Sequence, residues 1–223
     1  MRTGRTLARA ATLGALAIGP TSTEAGIISF TGPIDIIAPP ASVHEGGLES
    51  DTQIRVFRER TNLELVEQFG VNITNPGTYS ALGGGPNGNL AAGVQIISYM
   101  VHTDHVGSAG GGGRYEGSIT FDTDILAIIT SRSRLDSSDA IVGLPTVLYP
   151  TGVNSIERGT LDSASNGDVL TLAANRRTFT FSVAHSSDNI EQFRIITAIP
   201  APGSLWIPLL SAVAVYRRRA TPE

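Results

Sequence analysis

Between Thr178 and Val183 the chain alternates strictly, with Phe179, Phe181 and Val183 set between Thr178, Thr180 and Ser182. A period of two puts the apolar side chains on one face and the hydroxyls on the other, the mark of a half-buried strand. Val94 to Thr103 is different. Ile97, Tyr99 and Val101 share one face and Ile96, Met100 and His102 the other, so both faces carry apolar side chains and the strand is expected to be central. Ile125 to Ile129 is short and apolar throughout, as a buried strand would be. Tyr115 to Phe121, Leu144 to Leu148, Val169 to Leu172 and Gln192 to Ala198 are further strand candidates. Near the start, Ile27 to Phe30 and Ile34 to Ile37 form two small strands or one broken edge strand, split by Gly32-Pro33 and closed by Pro39-Pro40. Ile54 to Arg60 and Leu63 to Phe69 suggest a hairpin turning at Thr61-Asn62, although the second run also fits a helical turn. Residues 78–93 read as loop, and Ser131 to Asp139 as a brief helical turn. About ten short strands without a long helical period predict an all-β fold, an antiparallel β-sandwich or jelly roll.

The two ends break this pattern. Arg2, Arg5 and Arg9 precede a short apolar stretch from Ala10 to Ile18. Thr23 and Ala25 are small residues at −3 and −1 of a cut before Gly26, so residues 1–25 read as a secretory signal helix. No Arg-Arg pair precedes the stretch, which favours the general secretory route. Residues 26–198 then form the folded domain. At the other end, Pro200-Ala201-Pro202-Gly203 leads into an apolar run from Leu205 to Tyr216, followed by Arg217, Arg218 and Arg219. The run, interrupted by Pro208, is shorter than the roughly 20 residues a helix needs to cross a bilayer core, which suits temporary membrane retention. Its cationic end would act as a stop on the cytoplasmic side.

Charge and composition narrow the partners. The net charge of −4 divides unevenly: residues 26–202 hold ten Arg and eighteen acidic residues, a balance of −8. An acidic domain is a poor match for the phosphate backbone, so nucleic acid is not expected as a partner. The chain has no Cys, which excludes disulfides and thiolate chemistry, and no Lys.

The last two dozen residues, 199–223, resemble the PEP-CTERM sorting signal of exosortase substrates, with Ala201 where that motif carries Glu. The resemblance implies processing by signal peptidase and an exosortase. It also implies an inner-membrane-associated precursor and a final location at the cell surface or outside the cell. Gly117 to Ile129, Asp136-x-x-Asp139, Tyr149-Pro150 and Phe193 to Thr197 look like a β-sandwich module that recurs in secreted proteins of this kind. That module carries no assigned activity.

Residues with chemistry to offer are sparse. His102-x-x-His105 with Asp104 could join a transition-metal site if the strand ends near Thr103; on a continuous strand the two imidazoles point to opposite faces. Asp122, Asp124, Asp136 and Asp139 are oxygen donors suited to calcium, although their spacing is no EF-hand, and solvated turns with a helix N-cap are the simpler account of them. Ser, His and Asp are present, but Gly107-Ser108-Ala109-Gly110 lacks the spacing of a nucleophile elbow, and His185-Ser186-Ser187-Asp188 reads as a turn. The glycine clusters at 83–88 and 110–113 lack a phosphate-cradle motif and are expected as loops flanking the central strand. Asn72-Ile73-Thr74 matches a glycosylation sequon, which has meaning only in a eukaryotic secretory path. The expected function is a noncatalytic matrix or cell-surface protein of a polysaccharide-producing bacterium, with exopolysaccharide as a partner. The alternatives are an extracellular hydrolase of polysaccharide or ester, and a calcium-stabilised adhesion or carbohydrate-binding module.

Overall fold

The computed structural model of the protein describes residues 26–80, 88–107, 113–152, 158–161, 167–185 and 190–200, and these are mostly β. The strands are β1 (Ile27–Thr31), β2 (Ile34–Ile36), β3 (Ile54–Glu64), β4 (Phe69–Val71), β5 (Gly77–Tyr79) and β6 (Gly88–Leu90). They continue with β7 (Gln95–Asp104), β8 (Gly113–Phe121), β9 (Ile125–Ile129), β10 (Val169–Leu172), β11 (Thr178–His185) and β12 (Ile190–Ala198). One helix, α1 (Arg132–Val142), lies between β9 and β10. One five-stranded sheet has the order β1-β8-β11-β10-β5, a second the order β2-β3-β7-β12-β9, and β4 pairs with β6. Residues 1–25, expected as a signal segment, Ala201 to Gly203, the tail through Arg217, Arg218 and Arg219, and residues 81–87 lie outside the described residues. Among the described residues no helix is long and apolar enough to cross a membrane.

The alternation in β11 does what its period predicts. Phe179, Phe181 and Val183 are buried, and they join Leu170, Leu172, Ile119 and Phe121 of the first sheet to Val56, Tyr99, Val101, Phe193 and Ile195 of the second. Phe193 of β12 stacks edge-on against Phe179 and Phe181 of β11, with ring centroids 5.4 and 5.2 Å apart. Each such aromatic side chain removed from water contributes roughly 2–3 kcal/mol. Tyr99 and Phe121 make a further cross-sheet pair at 5.1 Å. The central strand is β7, hydrogen-bonded to β3 and β12. Its other face is covered too: Ile96 packs with Leu135 and Val142 of α1, and Met100 with Val43 and Phe57.

Five expectations are corrected. Thr61-Asn62 is not a hairpin turn. The stretch from Arg55 to Glu64 pairs with β7 from His102 to Gln95, with register shifts between Arg58 and Arg60 and between Arg60 and Leu63. Asn62 adopts a left-handed φ of 54° inside the strand, so the residues that mimic a turn instead belong to a bulged stretch. The sheets are not wholly antiparallel, because β2 runs parallel to β3. Leu144 to Leu148 is not a strand; Leu148 is exposed and makes a lone bridge to Ser42. Residues 78–93 are not wholly loop, since β6 pairs with β4 there. The helical turn from Ser131 is a helix of 11 residues.

Gly32 explains how β1 and β2 come to lie in different sheets. Its φ is 89°, and a Cβ there would lie 2.2 Å from the Glu116 carbonyl oxygen. Only glycine allows the chain to cross from β8 to β3 at this point.

Candidate functional site

On the face of the second sheet turned toward α1, alternation along β12 places Gln192 and Arg194 side by side, both fully buried. Arg194 donates from Nε and Nη2 to the two oxygens of Glu59, at 2.6 and 2.7 Å, and from Nη2 to Asp139 at 3.0 Å. Its remaining terminal nitrogen donates to Ser138 Oγ. The Tyr149 hydroxyl donates to Glu59 Oε1 at 2.7 Å and accepts from Leu144 N at 2.8 Å. The tyrosine ring lies 5.5 Å from the Arg194 guanidinium and 5.9 Å from that of Arg158, within cation–π range. Burial opposes the charge of Arg194, but the Glu59 carboxylate outweighs it and raises its pKa. Burial and the neighbouring Glu59 both raise the pKa of Tyr149, so it stays a phenol.

Arg158, also fully buried, donates to Asp136 Oδ1 and Asp139 Oδ2 at 2.6 Å, to Asp139 Oδ1 at 2.7 Å and to Gln192 Oε1 at 2.7 Å. Burial penalises the charged form of Asp139, but the hydrogen bonds and charge of Arg158 overcome this and lower its pKa. The Gln192 amide donates to the Val43 carbonyl at 2.8 Å and meets His102 Nδ1 at 2.9 Å. An Arg can only donate and a carbonyl can only accept, so the amide orientation is fixed and Nδ1 must be the acceptor. His102 is therefore the Nε2–H tautomer. That nitrogen has no hydrogen-bond partner among the described residues, and Asp104 Oδ2 is 3.9 Å away, beyond hydrogen-bond length. Burial, helped by Arg158 and Arg55, lowers the His102 pKa to about 3. Burial also raises Asp104, with Glu49 and Glu45 adding to it against the Gly46 and Leu48 amides, to about 6.

The calcium-donor aspartates are thus divided among other partners. Asp136 and Asp139 hold Arg158, Asp124 pairs with Arg177 at 3.2 Å, and Asp122 accepts from Gly26 N at 2.9 Å. His102 and His105 do not converge. His102 is buried against Gln192, while His105 pairs with Asp51. Among the described residues no three His, Asp or Glu side chains form a group able to hold a metal ion. Asn72 of the sequon is fully buried: its Oδ1 accepts from Thr130 N at 2.9 Å and Ser131 N at 3.1 Å, which fixes the start of α1.

Among the described residues, two surfaces are open to a ligand. A groove of about 560 Å³ runs past Ile27, Ile36, Ile37, Pro39, Phe57 and Leu144, with Arg58 and Glu59 adding charge. The outer face of the first sheet is the second. Register places Thr31 opposite Ser118, Ser118 opposite Thr180, Thr180 opposite Thr171 and Thr171 opposite Thr78, so one row of hydroxyls crosses all five strands. Strands about 4.8 Å apart make this row about 19 Å long. Beside it, Ser29, Thr120 and Thr178 form a shorter row. Neighbouring hydroxyls bond in pairs, Thr31 with Ser118 at 2.8 Å, Thr78 with Thr171 at 3.0 Å and Thr120 with Thr178 at 3.2 Å. A hydroxyl has one donor and two acceptor positions, so each pair retains capacity toward a ligand.

Comparisons of the chain with family models, with curated proteins and with solved structures give no significant match.

Proposed function

We propose that the protein is an exported, noncatalytic component of a bacterial surface or extracellular polysaccharide matrix, a β-sandwich delivered through a signal peptide and a PEP-CTERM-like tail. The observation that carries this reading is the hydroxyl row across the outer face of the first sheet. A polysaccharide presents repeated hydroxyls along an extended chain, and a row of Thr and Ser on rigid strands offers matching donors and acceptors with little side-chain entropy to lose. The large polar side chains between the other sheet and α1 support the noncatalytic part, because Arg158, Arg194, Glu59 and Asp139 satisfy one another in the interior.

Two measurements test it. The full chain, expressed in a host with signal peptidase and exosortase, should yield a secreted product lacking residues 1–25 and Arg217 to Arg219 by intact mass; a product that keeps the arginines refutes the sorting reading. That product should co-sediment with exopolysaccharide, and Thr180→Val with Ser118→Ala should weaken binding at least tenfold while stability changes by only about 0.5 kcal/mol each. Unchanged binding would remove the hydroxyl face from the function.

A further inference from the structure

Three consecutive residues hold both ends of the domain. Asp122 Oδ1 accepts from Gly26 N at 2.9 Å, and Asp122 N donates to Gly26 O at 3.2 Å. Thr123 Oγ1 donates to the Ala198 carbonyl at 2.9 Å, and Ala198 N donates to Asp124 O at 2.9 Å. Gly26 is the residue just before β1, and Ala198 is the last residue of β12. The Asp122–Asp124 turn between β8 and β9 is therefore a common clamp for the first and last strands.

We propose that export processing completes this clamp: cleavage after Ala25 converts Gly26 N from an amide into an α-ammonium group, which forms an ion pair with the Asp122 carboxylate. The inference rests on the exported reading above and adds a receptor for the new terminus. Hydrolysis of the Ala25–Gly26 bond leaves a carboxylate on the released segment and a protonated amine on Gly26, so water is the co-reactant. The nitrogen already lies at hydrogen-bond distance from Asp122 Oδ1, and no rearrangement is required. Before cleavage a neutral amide donates to the ionised carboxylate; afterwards both partners are charged, and Coulombic attraction is added to the hydrogen bond. The strand that gains is β1, which sits at a sheet edge and has β8 as its one neighbour among the described strands. Its Ile27 packs at the margin of the main core and lines the groove, so fastening Gly26 also fixes one wall of that groove.

The absence of lysine makes the amine measurable, because the α-amine is the sole aliphatic amine of the chain. The full chain is exported from a bacterial host, its product is identified by N-terminal sequencing, and the amine is acetylated with an N-hydroxysuccinimide ester at pH 7.5. The expected product begins at Gly26, and its amine reacts about tenfold more slowly in the native protein than in urea, equivalent to one pKa unit. Asp122→Asn is expected to abolish that protection while the strands remain folded by circular dichroism. A product that begins at Gly26 but labels equally fast native and in urea overturns the ion pair and leaves export intact. A product that keeps residues 1–25 or begins elsewhere overturns both the cut site and the pairing. The native-versus-urea comparison uses the wild-type chain, so the result does not depend on the variant folding.

Discussion

Gln192 donates to His102 Nδ1 at 2.9 Å and fixes the tautomer of a histidine whose burial sets how it behaves toward acid. His102 and Asp104 have opposite linkage to folding. The His102 pKa falls from 6.5 to about 3, so the unfolded chain binds the extra proton between those values and stability is lost as pH falls. The Asp104 pKa rises from 3.8 to about 6, so the folded chain binds the extra proton, and this contribution is lost as pH rises through 6.

The two slopes oppose each other between pH 4 and 6, and each is at most about 1.4 kcal/mol per pH unit. Asp104→Asn should therefore steepen the loss of Tm on acidification from pH 6 to 4, relative to wild type. It should also raise stability at pH 7.5 by about 1 kcal/mol, less than the ~3 kcal/mol of a full two-unit shift because nearby solvent screens the carboxylate. Thermal melts across pH 4–8 check both; parallel wild-type and variant curves would refute the opposing pair.

Removing Arg194 leaves Glu59 buried without its charge partner. Arg194→Met should cost about 3–5 kcal/mol, and the double variant Arg194→Met with Glu59→Met should recover most of it. Urea midpoints of the two variants provide the comparison, and equal losses in both would contradict this account.

Asn72→Ala should destabilise the fold by about 1–3 kcal/mol, because the amides of Thr130 and Ser131 lose their acceptor. The loss should appear as faster hydrogen exchange at those two amides. Unchanged exchange would mean that α1 starts without help from Asn72.

Gly32→Ala combines a left-handed backbone with a Cβ set against the Glu116 carbonyl, so a cost of about 3 kcal/mol is expected. Proteolysis should show the damage first at β1 and β2. Wild-type resistance there would show that the crossing tolerates a side chain.

Strands that report their own environment were legible from sequence. Phe179, Phe181 and Val183 state which face of β11 is buried, and Ile96 through Val101 announce a strand covered on both sides. Thr61-Asn62 misled because Asn in a left-handed conformation looks the same locally in a turn and in a bulge; only the pairing of both flanks with β7 distinguishes them. The interior polar network was out of reach for another reason. Glu59 and Arg194 are 135 positions apart, and nothing near either residue reveals the other. The signal available was the placing of Gln192 and Arg194 two residues apart, on one face of a strand that also carries Phe193, Ile195 and Ile196. Asp136 and Asp139 stand out in the sequence as oxygen donors, but their guanidinium partner Arg158 carries no motif. The hydroxyl row needed register across five strands, although the Thr and Ser of β11 already marked its centre.

The shared clamp at Asp122–Asp124 has a consequence for the order of the chain itself. Because Gly26 and Ala198 are fastened to one short turn, a brief peptide could join them into a ring without moving a strand. Cutting that ring at a surface connection would give a protein of the same shape with a different beginning. The architecture is thus close to indifferent to where synthesis starts, and circularly permuted versions should fold.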